Sequence, residues 1–599
     1  MTATTTAPAT GAENIHWDLT HLYTNPEAGV DADLSRSDEM ALTFERAYRG
    51  RVGQLSPAEV AVALRELEEI EEVIERAAAY AQLNFTTDTA DPARGAMLQK
   101  VQEIATQVGT KLIFFNLEWI AVDDQAAELI LADPAVENYR HYLRSARRYR
   151  PYVLSEPEEK ILAEKSVTAR AAWDRLFDEA CSAIRVQLGG EEVGLEQALS
   201  KLYSHDAEER RRVAQAVTEA LKVDLRTRRF IYNTVLADKQ IDDRLRSYPH
   251  WVADRNLANE ASDESYAALV EAVTSRYDIT HRYYALKKRL LKLDQMNDWD
   301  RYAPVGGEEP AVSYDEARDI VLDAYGSFSP KLRELAAEFF EKNWIDAALA
   351  PNKRGGAFAH PVSPSLHPYV MLNFTGTRRD VLVMAHELGH GVHMSLSRSQ
   401  TALNYGTPLT LAETASIFGE TVTFGRLLSA EHDPARRLSL LIGRLDDAAA
   451  SIFRQIAMNR FEDRIHTERR AHGELSGDQI NTAWLETSRA MLGPAVDVSE
   501  NYGIWWSYIH HMVGVPGYVY AYAFGNLLAL AVYKQSEKEG AESFATKYFD
   551  LLSAGGSDSP EALAAKVGLD LTDPRFWHGG LDTLSELIDE AEDLAGQVG

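Results

Sequence analysis

Three histidines and a glutamate lie close together in AHELGHGVH, residues 385–393. His386 and His390 are four residues apart, so on a helix they lie on the same face, one turn apart. Both imidazoles can then reach one tetrahedral ion. Glu387 is displaced around the helix and can act on a water beside that ion without binding the ion. This is the H-E-x-x-H zinc signature, in which the glutamate serves as general base.

A catalytic zinc needs three protein ligands and one open position for water. The subclass that takes its third histidine from the same helix is excluded, because residue 396 is a leucine. A separate element must therefore supply the third ligand. In the next predicted helix, residues 408–428, Glu413 and Glu420 are seven apart and share a face among apolar residues, where an unpaired carboxylate is costly. One could bind the metal while the other orients a ligand histidine, and an ordinary salt bridge remains the alternative for Glu420.

The element that carries the histidines is predicted to be one helix over residues 375–398. Thr377, with Asp380 three residues later, predicts a capping box at its start, so we interpret Asp380 as a cap. The preceding segment, 357–377, contains two short runs that resemble extended chain, and PYVMLNF (368–374) is β-branched and aromatic enough for a strand. We therefore predict one small β-sheet beside the histidine helix.

Helical periodicity dominates the rest of the chain. It predicts further helices around 56–83, 93–120, 156–185, 206–240, 261–292, 313–342, 435–470 and 561–569. The predicted fold class is mainly α. We expect a disordered tail over 1–13, an N-terminal helical domain over 14–200 and a catalytic domain over 201–599.

Composition and charge exclude several classes of protein. The sequence has no stretch of about 18 uninterrupted apolar residues, so no membrane span is predicted. The net charge of −29 argues against nucleic acid and anionic membrane surfaces as partners. The only cysteine, Cys181, excludes an internal disulfide framework and a cysteine-rich metal site, and favours a cytoplasmic location. No feature of the sequence indicates an oligomeric state.

Two other classes of function compete with a zinc enzyme. Glu387 and His390 also form a Glu-x-x-His pair of the kind found in di-iron bundles, but such a site needs a second pair on another core helix. The only other pair is Glu13–His16, at the edge of the predicted tail. A peptide-binding or chaperone-like protein with a structural zinc is the second alternative, although a structural site needs no base and usually has four protein ligands.

Three segments carry a resemblance to a known family. They are LNFTGTRRDVLVMAHELGHGVH (372–393), TPLTLAETASIFGE (407–420) and IHHMVGVPGYVYAYAFG (509–525). The sequence resembles the oligoendopeptidase F branch of the thimet oligopeptidase metallopeptidases. The resemblance implies a closed, bowl-like, two-lobed helical zincin peptidase with a deep cleft, acting on oligopeptides.

The resemblance also implies the metal ligands. The family's zinc ligands fall on His386, His390 and Glu413, which would hold one Zn²⁺ per chain, and its general base falls on Glu387. The implied activity is that of a metalloendopeptidase that cleaves short unstructured peptides through a zinc-activated water.

The family's transition-state donors fall on His511 and Tyr518, with Tyr522 as a second tyrosine in contact with substrate. His510 is the adjacent alternative to His511. Residue 525 is a glycine where thimet relatives carry another tyrosine, so that contact is absent here.

Two structural expectations accompany this assignment. The pair Pro516–Gly517 predicts a helix start, which would put Tyr518 and Tyr522 on one helix face. The strand predicted at 368–374 offers an edge on which the backbone of a peptide substrate can pair.

Overall fold

Helices form most of the protein, so the mainly α prediction is confirmed. A computed structural model describes residues 10–166, 168–307 and 310–598. The first helices are α1 (Pro26–Tyr48), α2 (Pro57–Thr87), α3 (Pro92–Ala121), α4 (Asp124–Ala132), α5 (Arg140–Arg148), α6 (Glu156–Ser166), α7 (Arg170–Ser182), α8 (Leu195–Ser200), α9 (Ala207–Lys222), α10 (Leu225–Arg246), α11 (Ala253–Ala258), α12 (Asp263–Ser275) and α13 (Tyr277–Leu290). The later helices are α14 (Tyr314–Phe328), α15 (Pro330–Glu341), α16 (Arg378–Ser397), α17 (Ala402–Tyr405), α18 (Leu409–Ala430), α19 (Pro434–Ala448), α20 (Arg454–His472), α21 (Gly477–Leu492), α22 (His511–Gly514), α23 (Tyr520–Glu539), α24 (Ala541–Ser553), α25 (Pro560–Lys566) and α26 (Pro574–Val598).

Several predicted long helices are pairs of shorter ones. The helix predicted over 206–240 divides at Asp224, whose φ of 55° lies in the left-handed region that helices avoid. The helix predicted over 313–342 divides before Pro330, because proline has no N–H to continue the hydrogen-bond ladder. The pattern of apolar residues continues across both breaks, so a prediction from periodicity alone treats the two helices on either side of each break as one.

Short strands form three small sheets in the described residues, two more than the sequence predicts. The strands are β1 (Arg185–Leu188), β2 (Glu191–Gly194), β3 (Met296–Asn297), β4 (Ile345–Asp346), β5 (Phe358–His360), β6 (Tyr369–Met371) and β7 (Val496–Asp497). β1 and β2 form an antiparallel hairpin around Gly189 and Gly190, both at positive φ. This Gly-Gly pair is a hairpin signal that the sequence analysis, whose predicted helix ended at residue 185, did not use. The third pairing, β3 with β7, is parallel and joins distant parts of the sequence.

The predicted sheet beside the histidine helix is present, with the strand order β4-β6-β5. β6 pairs with β4 in parallel and with β5 antiparallel, and all three of its residues are buried. The prediction that 368–374 offers a free edge is therefore wrong. β4 contributes only two residues, too few for a sequence signal, and it occupies the side of β6 that the prediction left open.

The chain forms two compact units, each built from three segments. Unit 1 contains Met1–Arg150, Glu308–Leu427 and Val532–Leu569. Unit 2 contains Pro151–Gly307, Leu428–Ala531 and Asp570–Gly599. The predicted domains, 14–200 and 201–599, are continuous in sequence and differ from these units. The division into those two domains stays a prediction.

The predicted tail over 1–13 lies partly outside the described residues, which begin at residue 10. From there the chain packs within unit 1. The backbone N–H of Tyr314 donates to the carbonyl of Thr10 at 2.8 Å, and Ala12 is buried. Within the described part of the chain, no helix combines the length and the apolar character that a membrane span requires.

Candidate metal centre

The histidine helix, α16, begins with the predicted capping box. The hydroxyl of Thr377 accepts a hydrogen bond from the backbone N–H of Asp380 at 3.3 Å. The Asp380 carboxylate accepts in turn from the N–H groups of Thr377 and Thr375, each at 2.9 Å. Asp380 is therefore a cap, as predicted, and its carboxylate is committed to the helix N-terminus.

Three side chains of unit 1 converge where the sequence predicts a metal. The ligand atoms of His386, His390 and Glu413 all lie within 4.8 Å of one another. Glu413 Oε2 lies 3.3 Å from Nε2 of His386 and 3.5 Å from Nε2 of His390. Two atoms bound to one tetrahedral ion at about 2.1 Å lie about 3.4 Å apart. The spacing and the donor set of two imidazoles and one carboxylate both fit zinc.

Glycines bring α16 and α18 close enough for this convergence. A Cβ at Gly389 would lie 2.5 Å from the carbonyl oxygen of Ala415 and 2.6 Å from Cα of Ser416, which is closer than side chains approach backbone. A Cβ at Gly391 would lie 2.6 Å from the ring of Phe339, so α16 also approaches α15 closely. The sequence analysis did not assign these glycines, although a glycine inside a helical pattern is a recognised sign of close packing.

Tyr325 makes a second close contact to the same helices. Its hydroxyl donates to the carbonyl of Ala385, the residue before His386. A Cβ at Gly419 of α18 would lie 2.2 Å from that hydroxyl. Tyr325 is buried and was also not identified from sequence, because a tyrosine in a helix gives no sign of its distant partner.

The carboxylates around the histidines favour positive charge at the centre. Glu420 Oε2 lies 3.2 Å from Nδ1 of His386, the ring nitrogen that faces away from Glu413. Burial alone would lower the pKa of His386, but hydrogen bonds with Glu413 and Glu420 outweigh it and raise that pKa to about 10. Burial likewise opposes ionisation of Glu413, but its hydrogen bonds with the two histidines lower its pKa well below the usual range. A site with this electrostatic bias suits a divalent cation.

Glu387 lies beside the three candidate ligands and is not one of them. Only 7% of the residue is exposed, and burial raises the pKa of its carboxyl group despite the two neighbouring histidines. The backbone N–H of Ala359, in strand β5, donates to this carboxylate. A carboxylate with a raised pKa takes a proton more readily, which is the property required of a general base.

The third histidine of the segment, His393, has a structural role. It is 5% exposed, and burial lowers its pKa to about 3, so it is neutral in the core of unit 1. It lies three residues beyond His390 and is not one of the candidate metal ligands.

The predicted transition-state donors form a separate cluster in unit 2. Nε2 of His511 lies 3.2 Å from the hydroxyl of Tyr522, and the rings of Tyr518 and Tyr522 are 5.1 Å apart. His510 points elsewhere, with Nδ1 2.8 Å from Asp178. Of the two adjacent histidines, His511 is therefore the one grouped with the tyrosines.

The predicted helix start in this segment is wrong by several residues. Gly517 has a φ of 75° and α23 begins at Tyr520, so Tyr518 lies in the preceding turn. Pro516–Gly517 forms a turn instead of a helix start. Tyr518 and Tyr522 nevertheless meet, because the turn and the first residues of α23 direct both rings to the same place.

Comparisons with known proteins agree with the resemblance found in the sequence. The sequence profile of peptidase family M3 matches residues 200–583, and the profile of oligopeptidase F matches residues 118–185. Oligopeptidase PepF from Bacillus subtilis is 26% identical over 591 residues, covering 97% of this chain and 87% of the relative. The matched ranges include both the metal centre and the His511 cluster.

Solved structures share the fold. A structure from Chlamydophila abortus is 23% identical, with a TM-score of 0.86, and covers 97% of this chain and 98% of the other. Oligoendopeptidase-F from Enterococcus faecium is 22% identical, with a TM-score of 0.73, covering 96% and 100%. The M3 profile alone spans more than half of the sequence. The chain therefore belongs to peptidase family M3 and is a metalloendopeptidase.

Proposed function

We propose that the protein is a zinc-dependent endopeptidase that cleaves short unstructured oligopeptides, with Glu387 as general base. The observation that carries this proposal is the spacing of His386, His390 and Glu413, whose separations match those of ligands around one tetrahedral ion. One zinc per chain held by these residues would polarise the scissile carbonyl and acidify water at its open position.

The protein's own groups perform the proton transfers in this mechanism. Glu387 accepts a proton from the attacking water and later delivers it to the leaving amine. The N–H of Ala359 holds the Glu387 carboxylate in place. Glu420, against Nδ1 of His386, fixes the orientation of that ring, as carboxylates do for many metal-binding histidines.

His511 and Tyr518 are proposed to donate hydrogen bonds to the oxyanion, and Tyr522 to contact the substrate. Their clustering in unit 2 and the family assignment support these roles. Neutral phenol and imidazole donors suit an anion that develops only in the transition state. Burial, followed by the charges of His510 and Arg454, lowers the pKa of His511, which favours its neutral form.

β5 is the proposed strand for pairing with the backbone of the substrate. It forms one edge of the sheet β4-β6-β5, in place of the 368–374 edge expected from sequence. Ala359 lies in β5 and contacts Glu387, so a peptide paired there would lie beside the base. Backbone pairing gives affinity with little preference for side chains. The cytoplasmic location stays a prediction.

The alternative functions have less support. Within the described residues, His386, His390 and Glu413 are the only group of three or more potential ligands close enough to hold a metal. His16, half of the second pair that a di-iron site would need, contacts Asp346 at 3.1 Å instead. A structural zinc would need neither a buried base nor an open ligand position.

The proposal is tested with Glu387→Gln, which keeps the shape of the side chain and removes the proton acceptor. We expect the variant to fold and bind one zinc, while cleavage of a ten-residue peptide falls by orders of magnitude. Zinc is measured by elemental analysis and cleavage by mass spectrometry, with Glu334→Gln, an exposed glutamate of unit 1, as control. Near-normal turnover by the zinc-loaded variant would rule out Glu387 as the base.

A further inference from the structure

Residues 515–518 form a tight turn that carries one of the proposed donors. The backbone N–H of Tyr518 donates to the carbonyl of Val515 at 3.1 Å, and Gly517 has a φ of 75°. A proline at the second position and a glycine at positive φ at the third are typical of a type II β-turn. Tyr518 is the last residue of this turn, so the geometry of the turn sets the position of its ring.

The turn leaves one backbone donor without a partner inside it. In a β-turn the N–H of the fourth residue pairs with the carbonyl of the first, and the N–H of the third residue has no partner within the turn. Here the third residue is Gly517, which is buried. A buried N–H group without an acceptor costs free energy, so this one needs an acceptor from elsewhere in the protein.

Glu462 of α20 supplies that acceptor. Its Oε1 accepts a hydrogen bond from the N–H of Gly517 at 2.9 Å. Only 1% of Glu462 is exposed, and its Oε2 has no hydrogen-bond partner among the residues that the structure describes. A carboxyl group this deeply buried is costly to keep. The contact with the turn is the clearest gain that offsets this cost.

The surroundings favour the neutral form of this carboxyl group. Burial raises the pKa of Glu462 to about 8, although the N–H of Gly517 and the charges of Arg255 and Lys239 lower it. A neutral carboxyl group still accepts a hydrogen bond through its carbonyl oxygen. Glutamine has the same shape, carries a carbonyl oxygen and does not ionise, so it can reproduce the contact.

Packing alone does not fix the orientation of the turn. A Cβ on Gly517 would lie 3.3 Å from Cγ2 of Val252 and 3.4 Å from Cβ of Arg255, so α11 and the residue before it lie close to the turn. Such contacts limit the space around the turn but have no preferred direction. A hydrogen bond is directional, so the contact with Glu462 fixes how the peptide group of Gly517 is rotated.

A different side chain holds the residues before the turn. Arg170 of α7 donates to the carbonyl of Gly514 at 2.9 Å and to that of Val513 at 3.3 Å. Both carbonyls belong to the short helix α22, which begins at His511. Loss of the Glu462 contact should therefore displace Tyr518 and leave His511 in place.

We propose that Glu462 is a positioning residue that holds Tyr518 beside His511 and Tyr522 by accepting the N–H of Gly517. This inference rests on the proposed function, in which Tyr518 donates to the oxyanion. A donor stabilises the transition state only where it meets the oxyanion, and a displacement of about 1 Å can cost about 100-fold in rate. Glu462 would act on the reaction through the turn.

The test compares Glu462→Met, which keeps the length of the side chain and removes the acceptor, with Glu462→Gln, which keeps the acceptor. We expect Glu462→Met to lower kcat about 10- to 100-fold with KM little changed, and Glu462→Gln to stay near the wild type. Glu468→Met, on the same helix and paired with Arg464 at 2.8 Å, is the matched control and should leave kcat unchanged. Equal losses in Glu462→Met and Glu462→Gln would overturn the proposal, and so would wild-type kcat in Glu462→Met.

A double variant shows whether Glu462 acts through Tyr518. The hydroxyl is already absent in Tyr518→Phe, so adding Glu462→Met should lower kcat no further. A second loss as large as that of Glu462→Met alone would mean that Glu462 supports the enzyme by another route, which would overturn the proposal.

Amide hydrogen exchange separates this proposal from the proposed function because it needs no turnover. In the enzyme without substrate, Glu462→Met should speed exchange in peptides that contain residue 517 by about 10-fold, the contribution of one hydrogen bond, and Glu462→Gln should not. Unchanged exchange in Glu462→Met would overturn the proposal even if kcat falls. Wild-type activity of Tyr518→Phe would refute the donor role instead, and faster exchange in Glu462→Met alone would still support Glu462 as the residue that fixes the turn.

Discussion

Gly389→Ala should disrupt the metal centre although it changes no ligand. The added Cβ would lie 2.5 Å from the carbonyl oxygen of Ala415, and ordinary contact begins near 3.4 Å. Both neighbouring atoms belong to backbone, so α16 and α18 must separate by roughly 0.9 Å, whereas metal sites tolerate about 0.2 Å. Glu413 moves with α18 while both histidines move with α16. We expect zinc affinity to fall about 10- to 100-fold and stability to fall by about 1–3 kcal/mol.

The assay is competition for zinc with a chromophoric chelator, together with thermal unfolding. Gly109→Ala is the matched control, because Gly109 lies in helix α3 of the same unit and a Cβ there would meet nothing within 4 Å. That change should leave zinc affinity unaltered and stabilise the protein by about 0.5–1 kcal/mol. Unchanged zinc affinity in Gly389→Ala would refute the claim that close helix packing sets the ligand spacing.

Four further predictions concern the proposed donors, metal ligands and substrate size. Tyr518→Phe should lower kcat roughly 100- to 1,000-fold with KM little changed; a higher KM at constant kcat in steady-state assays would make Tyr518 a binding residue. His390→Ala should lose its zinc in elemental analysis, and Glu420→Gln should keep one zinc but bind it about 10-fold more weakly in chelator competition. Peptides up to roughly 20 residues long should be cleaved, and casein slowly or not at all; comparable rates by mass spectrometry would contradict the closed cleft that the family resemblance implies.

The candidate metal centre could be predicted because most of its information is local. His386, Glu387 and His390 share one turn of helix, and the capping box of Thr377 and Asp380 fixes where that helix begins. The prediction of Glu413 as a metal ligand also required the family resemblance, because its seven-residue spacing from Glu420 did not show which of the two glutamates binds the metal. In the structure the two glutamates face different nitrogens of His386: Nε2 faces Glu413 and Nδ1 faces Glu420.

Non-local pairing could not be predicted. β4 has two residues, and its partner β6 lies more than twenty residues away in sequence, so nothing near PYVMLNF indicates that its second edge is covered. The same limit applies to Tyr325 and Ala385, which meet across sixty residues. The break at Pro330 is different, since proline is a local signal, and here the continuing apolar pattern was given too much weight.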